Sequence, residues 1–374
     1  MLDFANIYRL GIKELWSLAR DPVMLVLIVY CFSVSIYIAA TAVPDSLDKV
    51  PIAIVDEDAS PLSASIAAAF YLPRFNPPAN ISLTEMDPGL DAGEYSFVLD
   101  IPPDFQRDVL AGRSPAIQLN VDATRMSQAF TGSAYIQQIA LGEVNDFIQH
   151  SRSSAPTPVE LTLRARYNPN LQQSWFGALS EIINNVTMLA IILTGAALIR
   201  EREHGTIEHL LVMPVTPTEI MLAKVWAMGL VVLLAAGIGL LVVVQGVLRV
   251  PIAGSVPLFL AGTAVHLFAA TALGIFMATL ARSMPQFGML AVLILLPLQM
   301  LSGTFSPRES MPEFVQLVML AAPTTHFVAL GQAILFRGAG LAVVWPQFFA
   351  LIAIGSLLFA FSLTRFRNTI SEMA

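Results

Sequence analysis

The 374-residue chain holds one cysteine, five histidines and three lysines. With Cys31 alone, no intrachain disulfide can form. It lies inside an apolar block and reads as a small apolar residue. A phosphate-cradling P-loop needs Gly-Lys before Ser or Thr. Lys13, Lys49 and Lys224 follow Ile12, Asp48 and Ala223. The chain therefore lacks a Walker A motif and is not expected to hydrolyse ATP itself. His204 and His209 are five apart and diverge on a helix. Zincin, nucleophile-elbow and dinucleotide-binding motifs are absent too. No catalytic residue and no metal site is assigned. Charge is scarce as well: 13% of residues are charged, about half the usual share of a soluble domain. That argues against a disordered chain, a nucleic-acid binder and an ordinary soluble enzyme.

Apolar residues are abundant, at 56%, and the mean hydropathy is +0.69. They are clumped, which indicates a multi-pass helical membrane protein. Six spans are expected, over residues 22–43, 176–199, 225–248, 257–281, 287–305 and 345–365. Asp21 reads as the N-cap of the first, with Pro22 at the first helical position. Residues 44–175 form a polar interval long enough for a folded domain. It carries 16 acids and 8 bases, against a net charge of -7 for the whole chain.

Orientation follows from Lys and Arg in the short loops. Arg9, Lys13, Arg20, Arg200, Arg202, Lys224, Arg282, Arg365 and Arg367 fall on one side. Arg249, Arg308 and Arg337 fall on the other. Both termini are thus expected in the cytoplasm, with 44–175 outside and a cytoplasmic tail over 366–374. Ala40-Thr41-Ala42 resembles a signal-peptide cleavage site. The long segment before it and the long apolar run favour an uncleaved span.

Within 1–21, Phe4, Ile7, Tyr8, Gly11, Ile12, Leu15, Trp16 and Ala19 recur at helical spacing. Arg9, Lys13, Glu14 and Arg20 fill the positions between. An amphipathic helix on the cytoplasmic interface is expected, with a plain extension of span one as the alternative. In 44–175, apolar runs at 51–56 and 95–101 and the alternating 116–122 and 160–167 read as strands. Helices are expected from Ser60-Pro61 to about Tyr71, from Pro102-Pro103-Asp104 to Gly112, and over 127–150. This alternation indicates an extracytoplasmic α/β domain. Asp56, Glu57 and Asp58 suit an acidic turn more readily than a cation site.

Ionisable residues inside spans are few. Glu181, Asn184 and Asn185 share one face of span two. They suit a translocation path or a dimer interface, or else bonding to a neighbouring helix. His266 reads as a hydrogen-bonded packing residue.

The segment 200–224 between spans two and three is the most informative. It reads as a charged bend and two short helices. Gly205 breaks the run, Thr206 caps the next helix and Pro214 ends it. Thr216 and Glu219 form a capping box, with Pro217 at the first helical position. Glu201, Arg202, Glu203, Gly205, Thr206, Glu208, Leu210, Leu211 and Pro214 resemble the signature of the ABC-2 family of transporter permeases. The resemblance covers the whole chain, including 301–312 and Pro323-Thr-Thr-His326. It is closest to the bacterial drug-efflux-type subfamily with a large periplasmic domain after the first span.

The resemblance implies a bacterial inner-membrane permease subunit that exports a hydrophobic substrate. Those nine residues would couple it to separate ABC nucleotide-binding ATPase subunits, which bind ATP and magnesium. This chain itself would hold no cofactor. The resemblance also implies a dimer with a second permease protomer, homo- or heteromeric, and room for a periplasmic adaptor protein. Short re-entrant helices would lie within the external loop 306–344. A membrane sensor or scaffold and a proton-coupled carrier are the competing readings.

Overall fold

The computed structural model describes residues 3–41, 49–122, 126–151, 173–205, 214–304 and 308–371. The chain divides into two compact units, Met1–Val43 with Ala165–Ala374, and Pro44–Arg164.

The first unit is helical. It contains α1 (Phe4–Ala19), α2 (Pro22–Phe32) and α3 (Val34–Thr41). In the second unit, α4 (Pro61–Ala68), α5 (Leu83–Asp91), α6 (Phe105–Leu110) and α7 (Met126–Ser151) alternate with strands. The first unit then resumes with α8 (Gln173–Glu203), α9 (Pro217–Ile238), α10 (Val256–Leu280) and α11 (Met284–Met300). It closes with α12 (Glu313–Met319), α13 (Pro323–Leu335) and α14 (Leu341–Ser371).

Among the described residues, five segments are long and apolar enough to cross a bilayer: Pro22–Thr41, Ser174–Glu203, Pro217–Val247, Val256–Leu280 and Leu341–Asn368. The expected fifth span coincides with α11. At 17 residues it reaches about 25 Å, somewhat short of a ~30 Å hydrocarbon core. α12 and α13 meet at a 90° bend.

Local chemistry sets the helix ends. Asp21 caps α2 by accepting from Val23 N and Met24 N at 3.1 and 3.2 Å, with Pro22 at the first turn. Span one breaks at Ser33, whose backbone is non-helical, so α2 and α3 are separate helices. α8 is the hub. Of its apolar window 83% is buried within the chain, against 17% for α14. Small residues permit the close crossing of α8 and α10: a Cβ on Gly274 would sit 2.6 Å from Ile191 O.

Two expectations about segment 200–224 need correction. Arg200–Glu203 is not a bend, because α8 continues through Glu203 and stops only at Gly205, which has φ +66°. Its basic residues suit a helix C-terminus. The second short helix is also not separate from span three. The Thr216–Glu219 capping box does form, with Thr216 N donating to Glu219 Oε2 at 2.8 Å. The helix it starts then runs unbroken from Pro217 into the membrane. No breaker lies between, and the charge on Lys224 is neutralised by burial against acids. The first short helix, with Thr206, Glu208, Leu210 and Leu211, lies outside the described residues.

The second unit is a four-stranded sheet of order β2-β1-β3-β4. Its strands are β1 (Ile52–Asp56), β2 (Ala79–Asn80), β3 (Phe97–Ile101) and β4 (Gln118–Val121). β1 pairs in parallel with β2 and β3, in register Ile54↔Asn80 and Ile54↔Leu99; β4 is antiparallel to β3, with Leu99↔Leu119. Ile52, Ile54, Phe97 and Leu99 face a core shared with α4, α6 and α7. Ala53, Val55 and Val98 face Met86 and Leu90 of α5. Both faces of β1 and β3 are covered, which explains their continuous apolar runs.

β2 and α5 were not expected. In the segment Leu83–Asp91, which contains Pro88 and Gly89, Ser82 N donates to Glu85 Oε2 at 2.9 Å and starts the helix. α4 ends at Ala68, three residues short of the expected Tyr71. The expected strand at 160–167 falls outside the described residues.

The acidic turn is internally satisfied. Asp56 accepts from Ala59 N and from Ser63 Oγ, and Asp58 from Gln106 N, at 2.8 to 3.0 Å. Among the described residues no group of three or more His, Cys, Asp or Glu side chains is placed to hold a metal ion.

Candidate functional site

The C-terminal end of α8 is where the sequence motif meets the rest of the helical unit. Three consecutive side chains there reach three different elements. Glu201 turns to α1 and α9: Lys13 Nζ donates to its Oε1 at 2.7 Å, and Lys224 Nζ lies 2.8 Å from its Oε2. Arg202 donates through Nη1 to Ala281 O, the residue closing α10, at 2.6 Å. Glu203 accepts from Met284 N, the first residue of α11, at 2.8 Å. One turn of helix thus grips α1, α9 and the α10–α11 junction.

The Glu201 arm ends in a buried ion cluster. Lys224 is 1% exposed and lies 2.9 Å from Glu14 Oε1, while Lys13 lies 3.8 Å from the same carboxylate. Two ammonium groups and two carboxylates therefore sum to zero charge in a place where an isolated ion is prohibitive. Burial pushes the Glu14 carboxyl above its ordinary value; the Lys224 ammonium opposes that rise and the Glu201 carboxylate adds to it. Alongside, Arg200 pairs with Asp21 at 2.7 Å, fastening the start of span one to α8.

α1 is held on α9 along its length. Asp3 N donates to Glu219 Oε1 at 2.7 Å and Trp226 Nε1 to Ile7 O at 3.1 Å. The Tyr8 and Trp226 rings stack at 6.1 Å. Gly11 permits this approach, because a Cβ there would lie 2.1 Å from the Trp226 ring.

This corrects the simple amphipathic picture of α1. Its buried residues are Gly11, Glu14 and Leu18. Phe4, Tyr8 and Trp16 are 81%, 63% and 62% exposed. Phe4 and Trp16 point away from the protein, while Tyr8 keeps one face on Trp226. Glu14, expected among the solvated positions, sits in the protein face. Sequence reasoning missed Lys13, Glu14 and Lys224 as a set. The only available signal was a lysine at the edge of a long apolar run.

Elsewhere the structure gives the sequence-predicted residues intrachain partners. Glu181 accepts from Ser35 Oγ and, at 3.3 Å, from Asn185 Nδ2. The Asn185 amide also donates to Cys31 O at 2.8 Å, beside the break in span one. Asn184 Oδ1 accepts from Thr304 Oγ1 at 3.4 Å. These three residues tie α8 to span one and to the turn after α11. His266 is fully buried, bonds Thr187 Oγ1 through Nε2 at 2.8 Å and stacks on Phe327 at 4.1 Å, as expected of a packing residue. At the C-terminal end of α8, ion pairs and hydrogen bonds join this helix to α1, α9 and the α10–α11 junction.

A family model described as ABC-2 family transporter protein matches residues 22–364. The inner membrane transport permease YhhJ of Escherichia coli is 62% identical over 374 residues, covering all of both chains. The probable multidrug ABC transporter permease YbhR of Escherichia coli is 27% identical over 373 residues, which is 98% of this chain and 100% of that one. The related permease YbhS of the same organism is 24% identical over 344 residues, 90% of each. The chain belongs to the ABC-2 family of transporter proteins.

Proposed function

We propose that this ABC-2 family protein is the membrane-spanning permease subunit of an inner-membrane exporter. A separate ABC ATPase subunit binds and hydrolyses ATP with magnesium, and the permease moves a hydrophobic substrate outward. The observation that carries the reading is the three-way grip of Glu201, Arg202 and Glu203. A joint that fastens α8 to α1, α9 and the α10–α11 junction suits a point where an external push must become a concerted helix movement.

In this reading the loop through Thr206, Glu208, Leu210 and Leu211, bounded by Gly205 and Pro214, docks the ATPase. The positively charged short loops and both termini face the cytoplasm, and the unit 44–164 lies in the periplasm, where an adaptor protein can meet it. A second permease protomer completes the pathway. The names of the relatives, a transport permease and multidrug ABC transporter permeases, agree with export.

The test is purification of the tagged full chain from native membranes, with proteomics and ATPase assay. A separate nucleotide-binding subunit should co-purify. Glu208→Ala with Leu210→Ala should release it while leaving membrane insertion intact. Absence of any ATPase, with export unchanged when candidate ATPases are disabled, would overturn the reading.

A further inference from the structure

We infer that the α/β unit carries a binding site for an uncharged hydrophobic small molecule, in a cavity bounded by β3, β4, α6 and α7. The cavity measures about 700 Å3, inside the roughly 300–1,000 Å3 range of small-molecule sites.

Its walls follow from the packing. α7 turns Ile136, Ala140, Val144 and Ile148 toward it, a ridge at i+4 spacing. Leu99 from β3 and Phe105 and Val109 from α6 also line it. All three are at most 7% exposed, so the floor is a sealed apolar surface. Polar groups gather at the rim, where Arg113, Ser114 and Gln137 supply hydrogen-bond donors.

Charge selects among ligands. Residues 44–175 carry 16 acids against 8 bases, yet among the described residues no Asp or Glu lines this cavity. A cation finds no counter-ion there. Among the described lining residues an anion finds only Arg113, already paired with Asp108 at 3.2 Å, inside a unit of negative net charge. An apolar body with a neutral acceptor satisfies both the walls and the rim. The other large cavity of this unit, about 840 Å3, contrasts with it. It is lined by Arg74, Glu143 and Asp146; Arg74 is committed to Tyr135 at 4.5 Å and Glu143 to Ser65.

The inference rests on the proposed export function only for the notion that the ligand is cargo. Binding itself needs neither ATP nor a partner, so the two readings fail separately. The test uses benzophenone, an uncharged hydrophobic ketone that is its own photolabel, with the full chain in lipid nanodiscs. Irradiation and peptide mapping should show saturable labelling of peptides spanning 105–109 and 136–148. Ala140→Trp fills the cavity and should cut that labelling at least tenfold, while labelling of the membrane spans stays constant as the internal control. Val144→Trp serves as a second variant should the first disturb folding, which circular dichroism reports. Non-saturable labelling of α7, no labelling of α7, or labelling unchanged in both folded variants would overturn the inference.

Discussion

Removing the buried ammonium at position 224 should be among the most damaging single changes to the helical unit. In Lys224→Met the side chain keeps much of its length and loses its charge. Glu14 and Glu201 then share only Lys13, and the cluster moves from neutral to one net negative charge. Lys224 Nζ lies 2.9 and 2.8 Å from the two carboxylates. At an effective dielectric of 20, each contact represents about 6 kcal/mol of raw attraction. Most of that is cancelled by the desolvation of the ions, and breaking such a buried pair typically costs about 3–5 kcal/mol. At about 2–4 °C per kcal/mol, the unfolding midpoint of the solubilised protein should fall by roughly 6–20 °C. The decisive arm is Glu14→Leu combined with Lys224→Met. It returns the remaining Lys13–Glu201 pair to neutrality and replaces two ions by apolar volume, so it should recover at least half of the loss. Both are read from a thermal-unfolding scan of the detergent-solubilised protein. A Lys224→Met midpoint within about 2 °C of wild type, or a double variant no better than the single one, would show that these charges do not hold one another.

Glu14→Gln should change the pH response. The folded-state pKa of Glu14 is raised, so the folded protein takes up this proton before the unfolded chain does. The penalty for its charge is fully present above the folded pKa and disappears as pH falls to the ordinary value; wild type should therefore gain relative to Glu14→Gln on acidification, and a flat difference between their midpoints would contradict this. Gly11→Leu places side-chain atoms in the space of the Trp226 ring. It should cost about 1–3 kcal/mol and loosen α1, seen as a red shift of tryptophan emission and faster proteolysis near the N-terminus. Asn185→Leu removes the bond to Cys31 O and should cost about 0.6–1.7 kcal/mol, the range for interhelical bonds in membranes, measured by the same thermal scan.

Much of the architecture was readable because its determinants are local. Asp21-Pro22, Ser60-Pro61, Thr216-Pro217 and Gly205 each announce a helix end through their own backbone chemistry, and each does so in the structure. Short helices within 306–344 were implied by the family resemblance rather than by periodicity. The ion cluster was not legible. Lys13, Glu14, Glu201 and Lys224 come from three elements, with Glu14 and Lys224 210 positions apart. Periodicity could not place Glu14 either. It separates apolar from polar positions, whereas the buried side of α1 is set by which residues meet α8 and α9. The same ambiguity hid the helical continuation at each end of 200–224, since charge was read there as solvent exposure. α5 carries Pro88 and Gly89 in its interior and is started by a capping interaction that depends on one side chain, so its local pattern is weak.

If the proposed ATPase pushes on the segment after α8, the unequal strength of the three grips says which one yields. The Glu201 arm joins three buried charges, Glu14, Glu201 and Lys224, to the exposed Lys13, and separating the buried ones costs several kcal/mol. The Arg202 arm is one partly buried bond to Ala281 O, and the Glu203 arm is one exposed bond to Met284 N. Hydrogen bonds to charged groups contribute about 1.5–3 kcal/mol each, less where water competes. α1, α8 and α9 should therefore move as one block, while the α10–α11 junction is the joint that opens. Disulfide tests separate the cases in a Cys31→Ser background. A bridge between Lys13→Cys and Glu201→Cys locks within the block and should leave ATP-driven export largely intact once the lost ion pairs are matched by a Lys13→Ser, Glu201→Ser control. A bridge between Glu203→Cys and Met284→Cys locks the opening joint and should abolish export, with recovery on reduction. Equal export under both locks would refute this order of strength.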